Sequence, residues 1–193
     1  MSILKGYKTP NNKISRWLSE GVLIPLKKGL YLVAPEVSDT TCPLPLIANI
    51  LYGPSCVSLD YALSLHSLIP EQVFEITSVT IHRSKYFKNS LGKFTYNHIP
   101  TELFSIGVDL IQTPQKKSYL LASPTKALCD KLLLLRNLHI YSLQSFHQFL
   151  IEDLRINDAD LINLDLSIIE GYMAHNHKRS LYNYLYDLIK ELK

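Results

Sequence analysis

The segment that decides the predicted fold is NILYGPSCVSLDYALSLHSLIP, at residues 49–70. Apolar residues recur at helical spacing up to the Gly53-Pro54 pair, which is expected to end a first helix. Ser58 is a preferred helix N-cap, and Asp60 would lie near the positive N-terminal end of a second helix. The segment therefore predicts two core helices that meet at a tight corner, with its serines and Asp60 acting as caps rather than as reactive groups.

The composition is typical of a soluble globular protein. The chain has 193 residues and a hydrophobic fraction of 47%, which suffices for one domain with an appendage or for two small domains. No apolar run reaches the roughly 20 residues that span a bilayer, and the N-terminus lacks the apolar region of a signal peptide. Cys42, Cys56 and Cys129 are far apart, so neither a disulfide framework nor a zinc site is indicated. We expect a cytoplasmic protein without a membrane partner.

Positive charge is concentrated near the N-terminus. Residues 1–36 contain six Lys or Arg and two Glu, a net charge of +4, within a chain whose net charge is +3. Such asymmetry is typical of a nucleic-acid-binding end. A second basic run has no acidic residue between Glu75 and Glu102, and we interpret it as the solvated edge of a strand and loop. The second run consists of His82, Arg83, Lys85, Lys88 and Lys93.

Residues 1–36 predict a small winged helix-turn-helix-like unit. A short helix is expected over residues 13–20, ended by Gly21, and two apolar runs around the sequence KKG within residues 22–33 indicate a β-hairpin. In such a unit the helix enters the major groove of DNA and the hairpin tip contacts phosphate. A helix-hairpin subdomain with ordinary surface lysines is the alternative. The DNA-binding candidates are Asn12, Lys13, Ser15, Arg16, Ser19, Lys27 and Lys28.

The remainder, residues 37–193, is predicted to be one mixed domain after a linker rich in Pro, Ser and Thr. Alternation and β-branched residues predict strands at residues 74–82, 94–99, 108–111 and 119–122. Capping signals and apolar periodicity predict helices at residues 123–136, 142–153, 165–173 and 180–192. The predicted fold class is therefore α+β, with a small, mostly antiparallel sheet followed by a C-terminal helical bundle.

No metal site, cofactor or catalytic residue is predicted. Among seven histidines only His175 and His177 are close together, and no carboxylate has a spacing suited to a shared metal ion. Magnesium-dependent nucleotidyl transfer needs a pair of carboxylates to hold the metal. Asp60 offers no such pair, because the residue two positions later is Ala62.

Three charged residues near the start of a predicted helix form the remaining candidate. Lys126, Asp130 and Lys131 could form a polar functional cluster. The simpler interpretation is that Lys126 and Asp130, at i and i+4, form a surface ion pair that contributes a few tenths of a kcal/mol.

Four segments together resemble a known family. They are LIPLKKGLY at residues 23–31, YGPSCVSLDYAL at residues 52–63 with LIPE at 68–71, ITSVT at residues 76–80, and ASPTKALCD at residues 122–130. In this order they resemble the AbiEi-type antitoxins, the antitoxin and regulator halves of type IV toxin-antitoxin systems of bacterial abortive infection, a defence against phage. The resemblance covers roughly residues 10–170.

The resemblance implies an N-terminal winged helix-turn-helix that represses its own operon by binding inverted repeats in promoter DNA. It also implies a C-terminal domain that counters a cognate nucleotidyltransferase-like toxin, with or without a stable complex, and a monomer in solution. Only about ten residues precede the predicted recognition helix, so the first helix of the unit is shortened or missing. The residues assigned to antitoxin function are Ser55, Ser58, Asp60, Tyr61, Arg83, Lys85, Lys126, Asp130 and Lys131.

Two alternatives stay open at this point. One is an enzyme that acts on nucleotides or on the toxin, with Lys126 and Asp130 as its candidate residues. The other is a protein-interaction module whose basic N-terminal end binds an acidic protein surface rather than DNA.

Overall fold

A mixed β-sheet with helices on both faces forms the centre of the fold. The computed structural model describes residues 9–38, 40–136, 140–175 and 177–193. The strands are β1 (Leu23–Lys27), β2 (Leu30–Val33), β3 (Ser55–Val57), β4 (Ile76–Thr80), β5 (Lys85–Asn89), β6 (Gly92–His98), β7 (Val108–Gln112) and β8 (Ser118–Ala122). The helices are α1 (Pro10–Ser19), α2 (Pro35–Ser38), α3 (Leu44–Leu51), α4 (Leu59–Leu65), α5 (Thr101–Phe104), α6 (Pro124–Leu134), α7 (Leu143–Gln148), α8 (Asp158–Leu161), α9 (Leu166–Ala174) and α10 (Arg179–Leu192). The predicted α+β class is confirmed.

The central sheet has the strand order β5-β6-β4-β3-β8-β7 in the described part of the chain. β4 pairs with β6 and β3 pairs with β8 in parallel, whereas the other neighbouring strands are antiparallel. The sheet is thus mixed, although antiparallel pairs outnumber parallel ones as expected. The strands predicted around β4, β6, β7 and β8 are confirmed, whereas β3 and β5 were not predicted. The basic second run lies on and around β5, an end strand of the sheet, which confirms its interpretation as a strand edge.

The corner prediction for residues 49–70 is wrong in one respect. Helix α3 ends at Leu51, before Gly53-Pro54, as expected, but strand β3 lies between α3 and α4. All three residues of β3 are buried, because the strand lies inside the sheet between β4 and β8 and helices cover both faces of the sheet. A three-residue strand that is buried on both faces has no alternation, so its sequence looks like a continuation of the helical core.

The N-terminal unit consists of α1 and the β1-β2 hairpin. Helix α1 begins at Pro10 rather than at residue 13, and Gly21, with φ +72°, follows its end as predicted. Gly29, with φ +79°, lies in the turn of the confirmed hairpin. Within residues 9–33, α1 is the one helix that precedes the hairpin. The described residues therefore contain a helix and a hairpin, and a complete winged helix-turn-helix stays a prediction.

The hairpin packs directly on the larger domain. Leu26 is 7% exposed and belongs to the same hydrophobic cluster as the central sheet. Lys27 Nζ donates to the Leu51 carbonyl at 2.6 Å, and Asn89 Nδ2 donates to the Leu26 carbonyl at 3.3 Å. These contacts fix the hairpin against the C-terminal end of α3 and against β5.

The helices pack in two groups. The Tyr96 hydroxyl donates to the Ala48 carbonyl, which ties α3 to the sheet face that also contacts the hairpin. Thr77 lies on the opposite face, where its hydroxyl donates to the Ser58 carbonyl just before α4. Helix α6 packs beside α4 and α9, and α10 packs against α9 and α7.

The N-cap predicted at Ser123 is confirmed, and α7 also begins at a capping serine. Ser123 accepts from the Lys126 backbone N–H at the start of α6, and Ser142 forms a capping box with Ser145 at the start of α7. Helix α7 continues as a π-helical turn over Phe149–Asp153. Among the described helices, none is both long and apolar enough to cross a lipid bilayer.

Candidate functional site

A fully buried polar cluster joins α6 to the segment between β3 and α4. Ser58 Oγ donates to Asp130 Oδ2 at 2.6 Å, and the Tyr172 hydroxyl donates to Asp130 Oδ1 at 2.5 Å. Lys126 Nζ lies 3.3 Å from Asp130 Oδ2 and also donates to the Tyr172 hydroxyl oxygen and the Leu103 carbonyl, each at 3.0 Å. Each of the four side chains in the cluster is fully buried.

The electrostatics of the cluster are those of a desolvated ion pair held by hydrogen bonds. Burial raises the pKa of Asp130, while the Lys126 cation and the hydroxyl donors of Ser58 and Tyr172 oppose that rise. Burial and the neighbouring Asp130 carboxylate also raise the pKa of Tyr172, so this side chain stays a neutral hydrogen-bond donor. Every polar atom of the ion pair therefore has a partner that offsets part of its desolvation.

Two sequence predictions are corrected here. The interpretation of Lys126 and Asp130 as a surface pair is wrong, because both side chains are 0% exposed. Ser58 occupies the N-cap position of α4, but its hydroxyl makes no capping hydrogen bond and binds Asp130 instead. Nothing near Tyr172 in the sequence distinguishes it from the other tyrosines, so this member of the cluster was missed.

A second ion pair lies at the surface of the same α4-α6 interface. Lys131 Nζ contacts both carboxylate oxygens of Asp60, at 2.7 and 2.9 Å. The pair borders a groove of about 200 Å³, with Thr77 and Asn97 from the sheet among its lining residues. Leucine side chains supply the apolar walls: Leu59, Leu134 and Leu135. This groove is the accessible part of the candidate site.

The residues assigned to antitoxin function do not all lie in one place. Five of them meet at the α4-α6 interface: Ser58, Asp60, Lys126, Asp130 and Lys131. Tyr61 is half-buried beside them on α4, and burial raises its pKa. Ser55 is 2% exposed inside the sheet, and its hydroxyl has no hydrogen-bond partner among the residues that the structure describes. Arg83 and Lys85 lie apart from this group, at the β5 end of the sheet.

The β5 end of the sheet brings the two basic runs of the sequence together. Lys27 Nζ, from the hairpin, lies 5.9 Å from the centre of the Phe87 ring, and Lys85 Nζ lies 5.4 Å from the same ring. Lys85 Nζ also lies 5.5 Å from the Tyr52 ring, whose hydroxyl donates to the Arg83 carbonyl. Together with exposed Lys28 at the hairpin turn, these side chains form a continuous basic surface suited to phosphate.

Helix α1 presents the other DNA-binding candidates. Asn12, Ser15, Arg16 and Ser19 are exposed at a spacing that places them on one face of the helix. Arg16 Nε bonds to Glu20 at 2.7 Å, and Ser19 Oγ donates to the Arg16 carbonyl. The Arg16 pair is solvent-exposed and contributes little to stability, so the guanidinium can exchange Glu20 for a phosphate or a guanine edge. Lys13, by contrast, has its Nζ 4.9 Å from the Trp17 ring.

The described part of the chain contains no group of three or more side chains arranged to hold a metal ion. His177 Nε2 lies 3.5 Å from Glu102, and His175 follows the end of α9. Cys42, Cys56 and Cys129 are free thiols. No residue set in the described chain is therefore assigned to a metal or cofactor.

Comparison with models of protein families and with curated proteins gave no match for this chain. The resemblance to the AbiEi-type antitoxins thus rests on the four sequence segments alone.

Proposed function

We propose that this chain is the antitoxin of a type IV toxin-antitoxin system. In this proposal it counteracts a nucleotidyltransferase-like toxin and represses its own operon by binding promoter DNA. The observation that carries the proposal is that three of the four segments of the resemblance contact one another in the folded chain, and that the first binds the residue just before the second, although all four are dispersed along the sequence.

The contacts run through the centre of the molecule. β3 and β4, from the second and third segments, pair with Cys56 opposite Val79. The second and fourth segments join through the hydrogen bond between Ser58 and Asp130. The first segment, the hairpin, binds the Leu51 carbonyl immediately before the second segment. A set of similar residues that forms one contiguous body favours a shared fold over a chance match of short motifs.

The toxin-countering surface is assigned to the α4-α6 groove. Its walls combine a partly exposed ion pair, Asp60 and Lys131, with leucines at the ends of both helices. An open groove that joins charged and apolar groups suits a protein contact, and Lys131 can exchange Asp60 for an acidic group of a partner. The buried cluster beneath would hold α4 and α6 in the required relative position.

Promoter binding is assigned to α1 and the hairpin. The exposed face of α1 carries Asn12 and Arg16, which can form hydrogen bonds with base edges, while Lys28 can contact phosphate. Lys85 extends the basic surface beyond the hairpin. Binding of this kind weakens steeply as salt concentration rises.

Two readouts on the full chain test the proposal. Co-expression with the nucleotidyltransferase-like protein encoded beside it should restore growth, and a gel-shift assay with its upstream region should show salt-dependent binding. The full chain is required because Leu26 of the hairpin belongs to the common core, so a fragment starting at residue 37 would expose that core. A folded chain that neither restores growth nor binds the region contradicts the proposal.

The burial of Lys126 and Asp130 argues against the enzyme alternative. Lys126 and Asp130 are 0% exposed, so neither side chain reaches a substrate in this conformation. Divalent-ion-dependent turnover that is lost in a folded Asp130 variant would favour an enzyme over our proposal. Co-purification with a partner protein, without retention on DNA, would favour the interaction module.

A further inference from the structure

One face of the β5-β6 pair carries lysines and an exposed tyrosine that the proposed function does not use. Lys88 of β5 lies directly opposite Lys93 of β6, and Tyr86 lies opposite Thr95. Because residues two apart on a strand point to the same side, these four side chains share one face of the sheet. We name them the outer strip, since Lys85 and Phe87 alternate with them and point to the hairpin side.

The outer strip is open and positively charged. Lys88 and Lys93 are exposed, and Tyr86 is 52% exposed. These three side chains have no hydrogen-bond or ion-pair partner among the residues that the structure describes. Like charges directly opposite each other on neighbouring strands are destabilising, and a bound anion would relieve that repulsion. The nearby carboxylate, Glu75, is hydrogen-bonded to the Thr95 hydroxyl and marks the β4 side of the strip.

The outer strip leads into the α4-α6 groove along β6. Lys93, Thr95 and Asn97 follow one another at every second position on β6, and Asn97 lines the groove. Successive positions on this face are about 6.6 Å apart, so Lys93 and Asn97 are separated by about 13 Å. The Asn97 amide makes no hydrogen bond to a residue within the described ranges and is open to a ligand.

This arrangement combines the features that bind single-stranded nucleic acid. Such sites join basic side chains along the phosphate backbone to aromatic rings on which bases stack. Here Lys88 and Lys93 supply the positive charge and Tyr86 supplies the ring. The groove, of about 200 Å³ with leucine walls, has room for a single base, and the Asn97 amide can form hydrogen bonds with a base edge.

We infer that the outer strip and the groove together bind single-stranded nucleic acid, with phosphates at Lys88 and Lys93, one base on Tyr86 and a further base beside Asn97. This site lies on the opposite face of β5 from the basic surface assigned to promoter DNA. It shares the α4-α6 groove with the proposed toxin-countering surface, but its test measures nucleic-acid binding alone and does not depend on the antitoxin assignment.

Fluorescence anisotropy with the full chain tests the inference. The probes are labelled eight-nucleotide single-stranded RNA and DNA of one sequence and the matching duplex DNA. We expect a single strand to bind more tightly than the duplex. Comparison of the RNA and DNA probes identifies the preferred sugar. The double variant Lys88→Gln/Lys93→Gln should weaken single-strand binding about tenfold and reduce the log-log salt slope by about 1.4. Tyr86→Ala should weaken it about tenfold through lost stacking.

Two control variants separate the site from general electrostatics. Lys116→Gln/Lys117→Gln removes two exposed lysines from the β7-β8 turn and should leave single-strand binding unchanged. Arg16→Ala/Lys28→Ala alters the promoter-binding surface and should also leave it unchanged. Lysine on an end strand also opposes pairing with a second chain, so the size of each variant is checked by gel filtration.

Two results would contradict the inference. Equal losses in the outer-strip and turn variants, or binding that Tyr86→Ala and Lys88→Gln/Lys93→Gln leave intact, overturn the inference. No binding of either single strand, together with loss of a co-purified protein in Lys88→Gln/Lys93→Gln, would assign the strip to an acidic protein surface instead.

Discussion

The Ser58 hydroxyl donates to the Asp130 carboxylate at 2.6 Å across a sequence separation of 72 residues. This bond connects the segment that begins α4 to the middle of α6, beneath the groove to which we assign the toxin-countering surface. The relative position of α4 and α6, which form the groove, thus depends on a buried polar contact. Substitutions in the buried cluster should therefore change stability, whereas substitutions at the groove should change function.

Breaking the buried pair should destabilise the fold strongly. Asp130→Asn leaves the buried Lys126 ammonium without a counter-charge, so we expect a loss of about 3–5 kcal/mol in the free energy of unfolding. Lys126→Met/Asp130→Leu removes both charges and should lose less than Asp130→Asn alone. Urea denaturation measures both changes. A loss below about 1 kcal/mol in Asp130→Asn, the range of an exposed pair, would contradict the buried arrangement.

Gly107 should tolerate substitution worse than Gly29. Gly107 has φ +68°, and a Cβ there would lie 2.9 Å from Ile168 Cδ1 and 3.0 Å from Lys126 Cβ. Gly29 has a similar φ of +79°, but no atom of the described residues lies within 4 Å of an added Cβ. Both Gly→Ala variants pay for a left-handed backbone, about 1–2 kcal/mol, and Gly107→Ala should lose a further 1–3 kcal/mol or so from overpacking. Equal unfolding free energies in the two variants would contradict the close packing at Gly107.

Acid should remove the stabilisation that the N-cap Asp165 gives to α9. Asp165 accepts from the Ser167 N–H and hydroxyl, which holds its pKa below the ordinary value of 3.8. A carboxylate with a lowered pKa stabilises the fold above its unfolded pKa, and this contribution is lost as pH falls through the folded value. Asp165→Ala should therefore reduce stability by about 1 kcal/mol at pH 7, with the difference from the wild type shrinking below pH 3.8. A difference that is constant with pH would contradict this assignment.

Promoter binding should respond to α1 and the hairpin turn. Arg16→Ala/Lys28→Ala removes two exposed cations and should weaken binding in a gel-shift assay, with a salt slope for duplex DNA lower by about 1.8. Lys27 is left unchanged because its Nζ holds the hairpin to the Leu51 carbonyl, so its removal would also disturb packing. Lys116→Gln/Lys117→Gln is the matched control. Unchanged affinity in Arg16→Ala/Lys28→Ala would remove α1 and the hairpin turn from the DNA-binding surface.

Local signals in the sequence predicted much of the fold. The hairpin, the ends of α1 and α3, and the capped start of α6 depend on residues within a few positions of one another, and these predictions are confirmed. Strand β3 was missed because its three buried residues show no alternation. Strand β5 was not predicted as a separate strand, because its lysines were interpreted only as the solvated edge of a strand and loop.

The candidate site was harder to predict than the fold. The helical spacing of Lys126 and Asp130 is compatible with both an exposed and a buried pair. The choice between them depends on Ser58 and Tyr172, which lie 72 and 42 residues away from Asp130 in the chain. The resemblance to the AbiEi-type antitoxins singled out Asp60 and Lys131, but only the packing of α4 on α6 brings them within 2.7 Å.

The measurement that tests the central claim most directly is the growth of cells that express the proposed cognate toxin, a nucleotidyltransferase-like protein, together with this chain. We predict that the wild type restores growth, and that Lys131→Glu, which places two carboxylates at the groove, fails to restore it while losing no more than about 1 kcal/mol of stability. Lys116→Glu, at an exposed lysine away from the groove, should restore growth like the wild type. Failure of the folded wild type to restore growth would contradict the antitoxin assignment, and full rescue by Lys131→Glu would contradict the location of its surface.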